Sequence, residues 1–173
     1  MQTKIDLCSM ALLKLGEQPI QSLTADSPAA QLARTLFDSV TDTLLAMHPW
    51  KFACSKTELH KTDNGDFIIP TDCLRIVKCD GEIIGDKIIA PAHKIIITAI
   101  MRKPPESFPG YFVSLLTTKL AMEFCIPLTA DQTVFRMLAA LYETEMQSAK
   151  FIDSTMSTTH NGIDNFSLVS ARF

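Results

Sequence analysis

The stretch at residues 27–52, SPAAQLARTLFDSVTDTLLAMHPWKF, constrains the fold more than any other part of this chain. Ser27 suits the cap of a helix N-terminus, and Pro28 suits the first helical position. Apolar residues then recur three or four positions apart, which places them along one side of a helix: Ala30, Ala33, Phe37, Val40, Leu44 and Met47. The pattern predicts an amphipathic helix at about residues 28–48.

The sequence after this helix predicts a rigid structural corner formed by His48, Pro49 and Trp50. Pro49 lacks a backbone N–H and disfavours helical geometry at the preceding residue, so the helix should end at His48. A histidine at that end is favoured by the helix dipole. Trp50 is the only tryptophan, and it is expected to anchor the core. Trp50 and Phe52 alternate with Lys51, which predicts a strand that enters the core.

Three further helices are predicted, at about residues 3–15, 110–126 and 130–153. Thr3 and Asp6 resemble a capping box at the start of the first, and Thr129 with Gln132 forms one at the start of the last. Pro127 should end the helix at 110–126, because proline is poorly tolerated inside helices. The last helix carries an apolar stripe made of Phe135, Leu138, Tyr142, Ala149 and Ile152.

Residues 50–101 are predicted to form a small β region between these helices. The Asp-Gly pair at 80–81 is typical of a hairpin turn, and the Gly-Asp pair at 85–86 predicts a second turn. Residues 94–101, KIIITAIM, form the best strand pattern in the chain. We expect a meander of antiparallel strands, whose open edges need covering by the rest of the fold or by another subunit.

Residues 154–173 differ in composition, being rich in Ser, Thr and Asn with widely spaced apolar residues. Such a segment buries too little apolar surface to offset its own ordering entropy, so we expect a neighbouring chain to hold it. The expected interface residues are Ile163, Phe166, Leu168, Val169, Arg172 and Phe173. The whole pattern predicts an α+β fold that is mainly α, a helical bundle with an inserted small antiparallel β region and an extended C-terminal arm.

The charge and hydropathy of the chain argue against two classes of function. Its formal net charge is −3 and it has no basic run, which disfavours tight sequence-specific DNA binding. No charge-free apolar run approaches the roughly 20 residues that cross a bilayer. Asp6 and Lys14 interrupt the apolar N-terminal segment, so we interpret it as an amphipathic helix and expect no membrane partner.

No catalytic, cofactor or metal motif is present in the sequence. A zinc site made from Cys73, Cys79 and a histidine is conceivable, but zinc ligands usually come in tighter pairs. Several aspartates could suggest calcium, although each falls in or beside a predicted turn: Asp63, Asp66, Asp72, Asp80 and Asp86. The five cysteines are scattered, which favours buried thiols over a disulfide framework. We therefore expect a protein that is not an enzyme.

Four short motifs carry a resemblance to a known family: Ala11-Leu12 with Leu15-Gly16, Ser22-Leu23, His48-Pro49-Trp50, and Pro70-x-Asp72-Cys73-Leu74. With the order of elements, they make the chain resemble the bacteriophage head-to-tail adaptor (connector) proteins, including the tubular tail proteins of short-tailed phages. The similarity covers about residues 5–155. These motifs are signatures of a fold and carry no catalytic chemistry.

The resemblance implies a structural virion protein made in the bacterial cytoplasm and located in the virion neck or tail. Residues 1–153 would be the adaptor domain and 154–173 its arm. Such proteins form a ring, commonly a dodecamer, under the portal protein, where they extend the DNA channel and dock a tail or nozzle protein. DNA passes through the channel without sequence-specific binding. The alternative is a small non-enzymatic scaffold or regulatory module of cellular origin, which binds a protein partner and forms no ring.

Overall fold

The computed structural model describes residues 2–156, and the elements within that range confirm an α+β fold that is mainly α. The helices are α1 (Lys4–Lys14), α2 (Pro28–Met47), α3 (Gly110–Thr129) and α4 (Gln132–Thr155). The strands are β1 (Cys54–His60), β2 (Phe67–Ile68), β3 (Cys73–Lys78), β4 (Glu82–Ile84), β5 (Lys87–Ile89) and β6 (Lys94–Met101). The predicted interface residues of the C-terminal arm, from Ile163 to Phe173, lie outside the described residues.

The starts of α1 and α2 follow the predicted capping chemistry. The Thr3 hydroxyl accepts from the Asp6 N–H at 3.2 Å, and the Thr3 N–H donates to the Asp6 carboxylate at 2.8 Å. The Ser27 hydroxyl accepts from the backbone N–H of the third helical residue. Most of the predicted α2 stripe is buried, but Met47 is 56% exposed. Trp50, three residues further along the chain, is fully buried instead.

The end of α3 and the start of α4 differ from the prediction. Pro127 lies inside α3, which continues to Thr129 because the Thr129 hydroxyl and the Ala130 N–H donate to carbonyls one turn back. Ala130 then adopts a left-handed conformation with φ of 51°. Thr129 therefore belongs to α3 and is not the N-cap of the last helix. The N-cap of α4 is Asp131, whose carboxylate accepts from two backbone N–H groups of the first turn.

The β region consists of two three-stranded antiparallel sheets and is not the single meander that we predicted. The first sheet has the order β1-β6-β3, and the second has the order β2-β5-β4. The isoleucine-rich β6 is central and has a partner on each side, which suits the most apolar strand. The first strand begins at Cys54, since Trp50 to Ala53 form a turn closed by the Trp50 carbonyl.

The two predicted hairpin turns had different outcomes. Gly85 and Asp86 join β4 to β5, and Gly85 has a φ of 63°, which favours glycine. The Asp80-Gly81 prediction was wrong, because β3 and β4 belong to different sheets. Gly81 serves another purpose. A Cβ at this position would lie 2.7 Å from the Ile88 side chain, so the glycine allows a close approach of the chain to β5.

Buried side chains form two separate clusters. The larger one unites all four helices with Trp50 and Ile100, and α3 contributes most to it. The smaller one lies between the sheets and contains Phe67, Ile88 and Ile97. Among the described helices, α3 alone is long and apolar enough to span a membrane, and 56% of that window is buried within the protein. The bidentate ion pair between Arg102 and Asp42, with one N–O distance of 2.6 Å, joins the end of β6 to α2.

Candidate interaction surfaces

The predicted corner is packed between α2 and α3. Trp50 is fully buried, and its indole N–H donates to the Leu44 carbonyl at 2.9 Å. Its ring centroid lies 5.4 Å from that of Phe112 in an edge-to-face arrangement and 4.6 Å from that of His48. Aromatic pairs of this geometry add about 0.5–1.5 kcal/mol beyond burial of their area. The corner therefore fixes the direction in which the chain leaves α2 for the β region.

A buried carboxylate, that of Asp153 near the end of α4, completes this corner. It is 1% exposed, and one of its oxygens accepts from the Lys51 N–H at 3.0 Å and from the Tyr111 hydroxyl at 2.8 Å. Sequence reasoning missed this residue, although a signal was present. Asp153 continues the spacing of the buried α4 residues Leu138, Tyr142, Met146 and Ala149. The predicted stripe residue Ile152 is instead 39% exposed.

His48 and Tyr111 both lie beside Asp153, and burial sets their protonation states. The His48 Nε2 atom lies 3.6 Å from the Asp153 carboxylate. Burial lowers the pKa of His48, nearby Lys150 and Arg75 lower it further, and Asp153 only partly opposes them. Burial also raises the pKa of Tyr111, as does its hydrogen bond to Asp153. Both groups are thus neutral near pH 7 and position the carboxylate, an arrangement that ties the last turn of α4 to the corner.

No protein-family model matches this chain, and no curated protein sequence matches it.

The outer face of the second sheet carries the charged Lys87 and Glu82 beside three exposed isoleucines. We call the three, Ile68, Ile84 and Ile89, the isoleucine face. These residues are 59%, 53% and 50% exposed. Ile68 and Ile84 both pair with Lys87, and Ile89 on the same strand pairs with Glu82, so all three point to one side. A signal in the sequence was the run Ile83-Ile84, since successive strand residues face opposite sides and one of them had to face outward.

The edge of the same sheet is open at β4. All three β4 residues are exposed, and the strand pairs only with β5 within the described part of the chain. Ile83 projects from this edge, 48% exposed, into an open cleft of about 560 Å³ that is also lined by Pro70, Leu74 and Ile76. Unpaired edges of this kind are templates for strand addition by another chain.

The cysteines and aspartates considered for metal binding all lie within the described residues 2–156. No group of three or more His, Cys, Asp or Glu side chains in that range could hold a metal ion. Asp66 accepts instead from Lys87 at 2.6 Å and from the Thr62 hydroxyl. The five cysteines are free, and burial raises the pKa of Cys8 to about 12, so this thiol is inert near neutral pH.

Proposed function

We propose that this protein is a structural subunit of a phage virion, a head-to-tail adaptor that assembles into a ring under the portal. The observation that carries the proposal is the β region, which combines an open strand edge with the exposed isoleucine face. Exposed apolar surface beside an unpaired edge is typical of a site that another protein covers. In this proposal a neighbouring subunit covers it, and the protein has no enzymatic role.

The arm, predicted at residues 154–173, is proposed to dock onto the portal protein or an adjacent subunit, and its first two residues belong to the end of α4. Support comes from the last turn of α4, which precedes the arm. Asp153 holds the last turn of α4 against the Lys51 backbone and the Tyr111 hydroxyl, so the point from which residues 157–173 depart is fixed relative to the bundle. A fixed point of attachment reduces the conformational entropy that the arm loses on binding.

The isoleucine face can be tested by changing Ile84 to Lys and counting the subunits bound to portal-bearing capsids by mass measurement. The expected result is loss of ring assembly with the monomer still folded, since a charge at the contact would be buried unpaired. The matched control is Met137→Lys on α4, which alters an apolar residue that is also exposed, at 68% against 53% for Ile84, away from the β region. Normal ring assembly by the Ile84 variant would refute the proposed role of this face.

The arm is tested separately by truncation after residue 156. The truncated chain retains every helix and strand given above, so we expect a cooperatively folding monomer that no longer docks to portal-bearing capsids. Loss of folding would contradict the assignment of these residues as an arm. Stoichiometric binding to one cellular protein, with no assembly on portals, would favour the alternative of a scaffold or regulatory module.

A further inference from the structure

The outer face of the first sheet, which points away from the second sheet, carries a cluster of cations. Lys56 and Lys78 both pair with Thr98, from opposite sides of the central strand, so the three form one cross-strand row. Arg75 pairs with Ile100 in an adjacent row of the same face. We call this surface the basic face, and it consists of Lys56, Arg75, Lys78, Lys94, Glu58, His60, Ile96 and Thr98.

The charge of this face is opposite to that of the chain. It holds four cationic side chains and one carboxylate, whereas the formal net charge of the protein is −3. Glu58 pairs with Lys94 at 3.3 Å. Lys56, Arg75 and Lys78 are exposed and make no ion pair within the described part of the chain. Three exposed and uncompensated cations on one sheet face create a local positive potential that the net charge conceals.

The chemistry of the face favours a phosphate backbone over an acidic protein segment. Neighbouring strands lie about 4.8 Å apart, so the Lys56 and Lys78 backbones are about 10 Å apart, with the Thr98 hydroxyl between them as a further phosphate donor. Protein interfaces depend on buried aromatic and apolar anchors. This face offers Ile96 as its one large exposed apolar side chain, and none of its residues is aromatic apart from the His60 imidazole.

We propose that the basic face binds the phosphate backbone of duplex DNA without reading its sequence. The setting rests on the proposed function, because the DNA would be the duplex that moves through the ring. The binding is weak and salt-sensitive, since a single subunit neutralises only about three phosphates. Contacts to the phosphate backbone carry no sequence information, so they permit sliding.

The test is a titration of the ¹⁵N-labelled full chain with a 12-base-pair duplex of arbitrary sequence, followed by NMR at several salt concentrations. We expect shifts confined to the backbone amides of β1, β3 and β6 that bear the basic face. The logarithm of the binding constant should fall with that of the salt concentration with a slope of about −3. A second duplex of unrelated sequence should give the same result.

The decisive variant is Lys56→Gln with Lys78→Gln. It should reduce the steepness of the salt dependence by about 2, because each phosphate that a lysine no longer neutralises removes roughly 0.9 from the slope. The matched control is Lys103→Gln with Arg136→Gln, which removes the same charge elsewhere and should leave the slope unchanged. Equal effects of the two variants, or shifts scattered over the surface, would overturn the proposal.

A second titration uses poly-glutamate of the same total charge as the duplex. The proposal requires weaker binding of this polymer, because it has no phosphates for Thr98 and the lysines. Equal or tighter binding would overturn the proposal in favour of an acidic protein segment. Ring assembly of the Lys56/Lys78 variant on portal-bearing capsids is measured separately. If the Lys56/Lys78 variant assembles normally but no longer binds DNA, the proposal is supported. Failed assembly of the Ile84 variant bears only on the proposed function.

Discussion

The helical bundle and the β region differ in the size of the core that each one builds. The bundle buries Trp50, Phe112 and Phe124 completely in one large cluster. The β region has a much smaller cluster and leaves three isoleucines at least half exposed on the face of its second sheet. The bundle thus has the core of a self-sufficient domain, whereas the β region combines a small core with exposed isoleucines gathered on one sheet face.

This difference indicates that the bundle supplies the stability of the fold and that the β region supplies its interaction surfaces. Stability is concentrated around α3, whose buried residues contact the other helices. The Arg102–Asp42 ion pair joins the bundle to the end of β6. The sheets then present surfaces whose substitution should change assembly more than folding. Substitutions in the two regions should therefore separate these two properties.

The largest effect is expected in the bundle, at Trp50. Trp50→Ala removes the largest fully buried side chain and leaves the Leu44 carbonyl without its indole donor. We expect the free energy of unfolding, measured by urea denaturation, to fall by about 3–5 kcal/mol. The control is Met137→Ala, which should change it by less than about 0.5 kcal/mol. A loss below about 1 kcal/mol at Trp50 would contradict the idea that stability resides in the bundle.

The second prediction compares two isoleucines of one hairpin. Ile88 is fully buried between the sheets, and Ile84, on the partner strand, is 53% exposed. Ile88→Ala should lower the free energy of unfolding by about 2–5 kcal/mol, while Ile84→Ala should lower it by less than about 0.5 kcal/mol. Equilibrium unfolding of both variants provides the measurement. Equal losses would mean that the isoleucine face belongs to the core.

The third prediction concerns the link between α4 and the corner. Asp153→Ala leaves the half-buried Lys51 N–H and Tyr111 hydroxyl without their acceptor. The cost should be about 1–3 kcal/mol of the free energy of unfolding. Glu143→Ala, at an exposed site on the same helix, is the control and should be nearly neutral. Amide hydrogen exchange should show faster opening at the end of α4, and unchanged exchange there would argue against an anchoring role.

The smallest effect is a dependence on pH. The folded protein lowers the pKa of His48 from its ordinary value of 6.5, chiefly through burial, so the unfolded chain binds this proton more readily. The free energy of unfolding should therefore fall as the pH drops from about 7.5 through 6.5, until the lowered pKa is passed. His48→Gln should flatten this dependence, whereas the exposed His60→Gln should preserve it. An identical pH profile for the wild type and the His48 variant would contradict the prediction.

Features decided by short-range chemistry were predictable from the sequence. The caps at Thr3 and Ser27 and the strand at 94–101 depend on neighbours a few residues away, and the structure has all three. The strand order was not predictable, because β6 pairs with strands far apart in the chain. Pro127 was misjudged since the local rule ignores packing, and Cys125, within one turn of it, is fully buried in the core.

The candidate surfaces were less accessible to sequence reasoning for a similar reason. Asp153 acquires its role from Lys51, 102 positions away, and no local pattern records such a pairing. The basic face combines residues from three strands whose pairing had to be known first. The apolar residues of the arm, by contrast, were noted from composition alone, and their contacts stay a prediction.

The hydrogen bonds of Asp153 also have a mechanical consequence. Tension applied to the chain beyond residue 156 first reaches a carboxylate that is attached to α3 through Tyr111 and to the corner through Lys51. We expect the end of α4 to resist such a pull, because both hydrogen bonds must break before the last turn can leave the bundle. In the proposed adaptor, this attachment would keep α4 folded while a partner pulls on the arm.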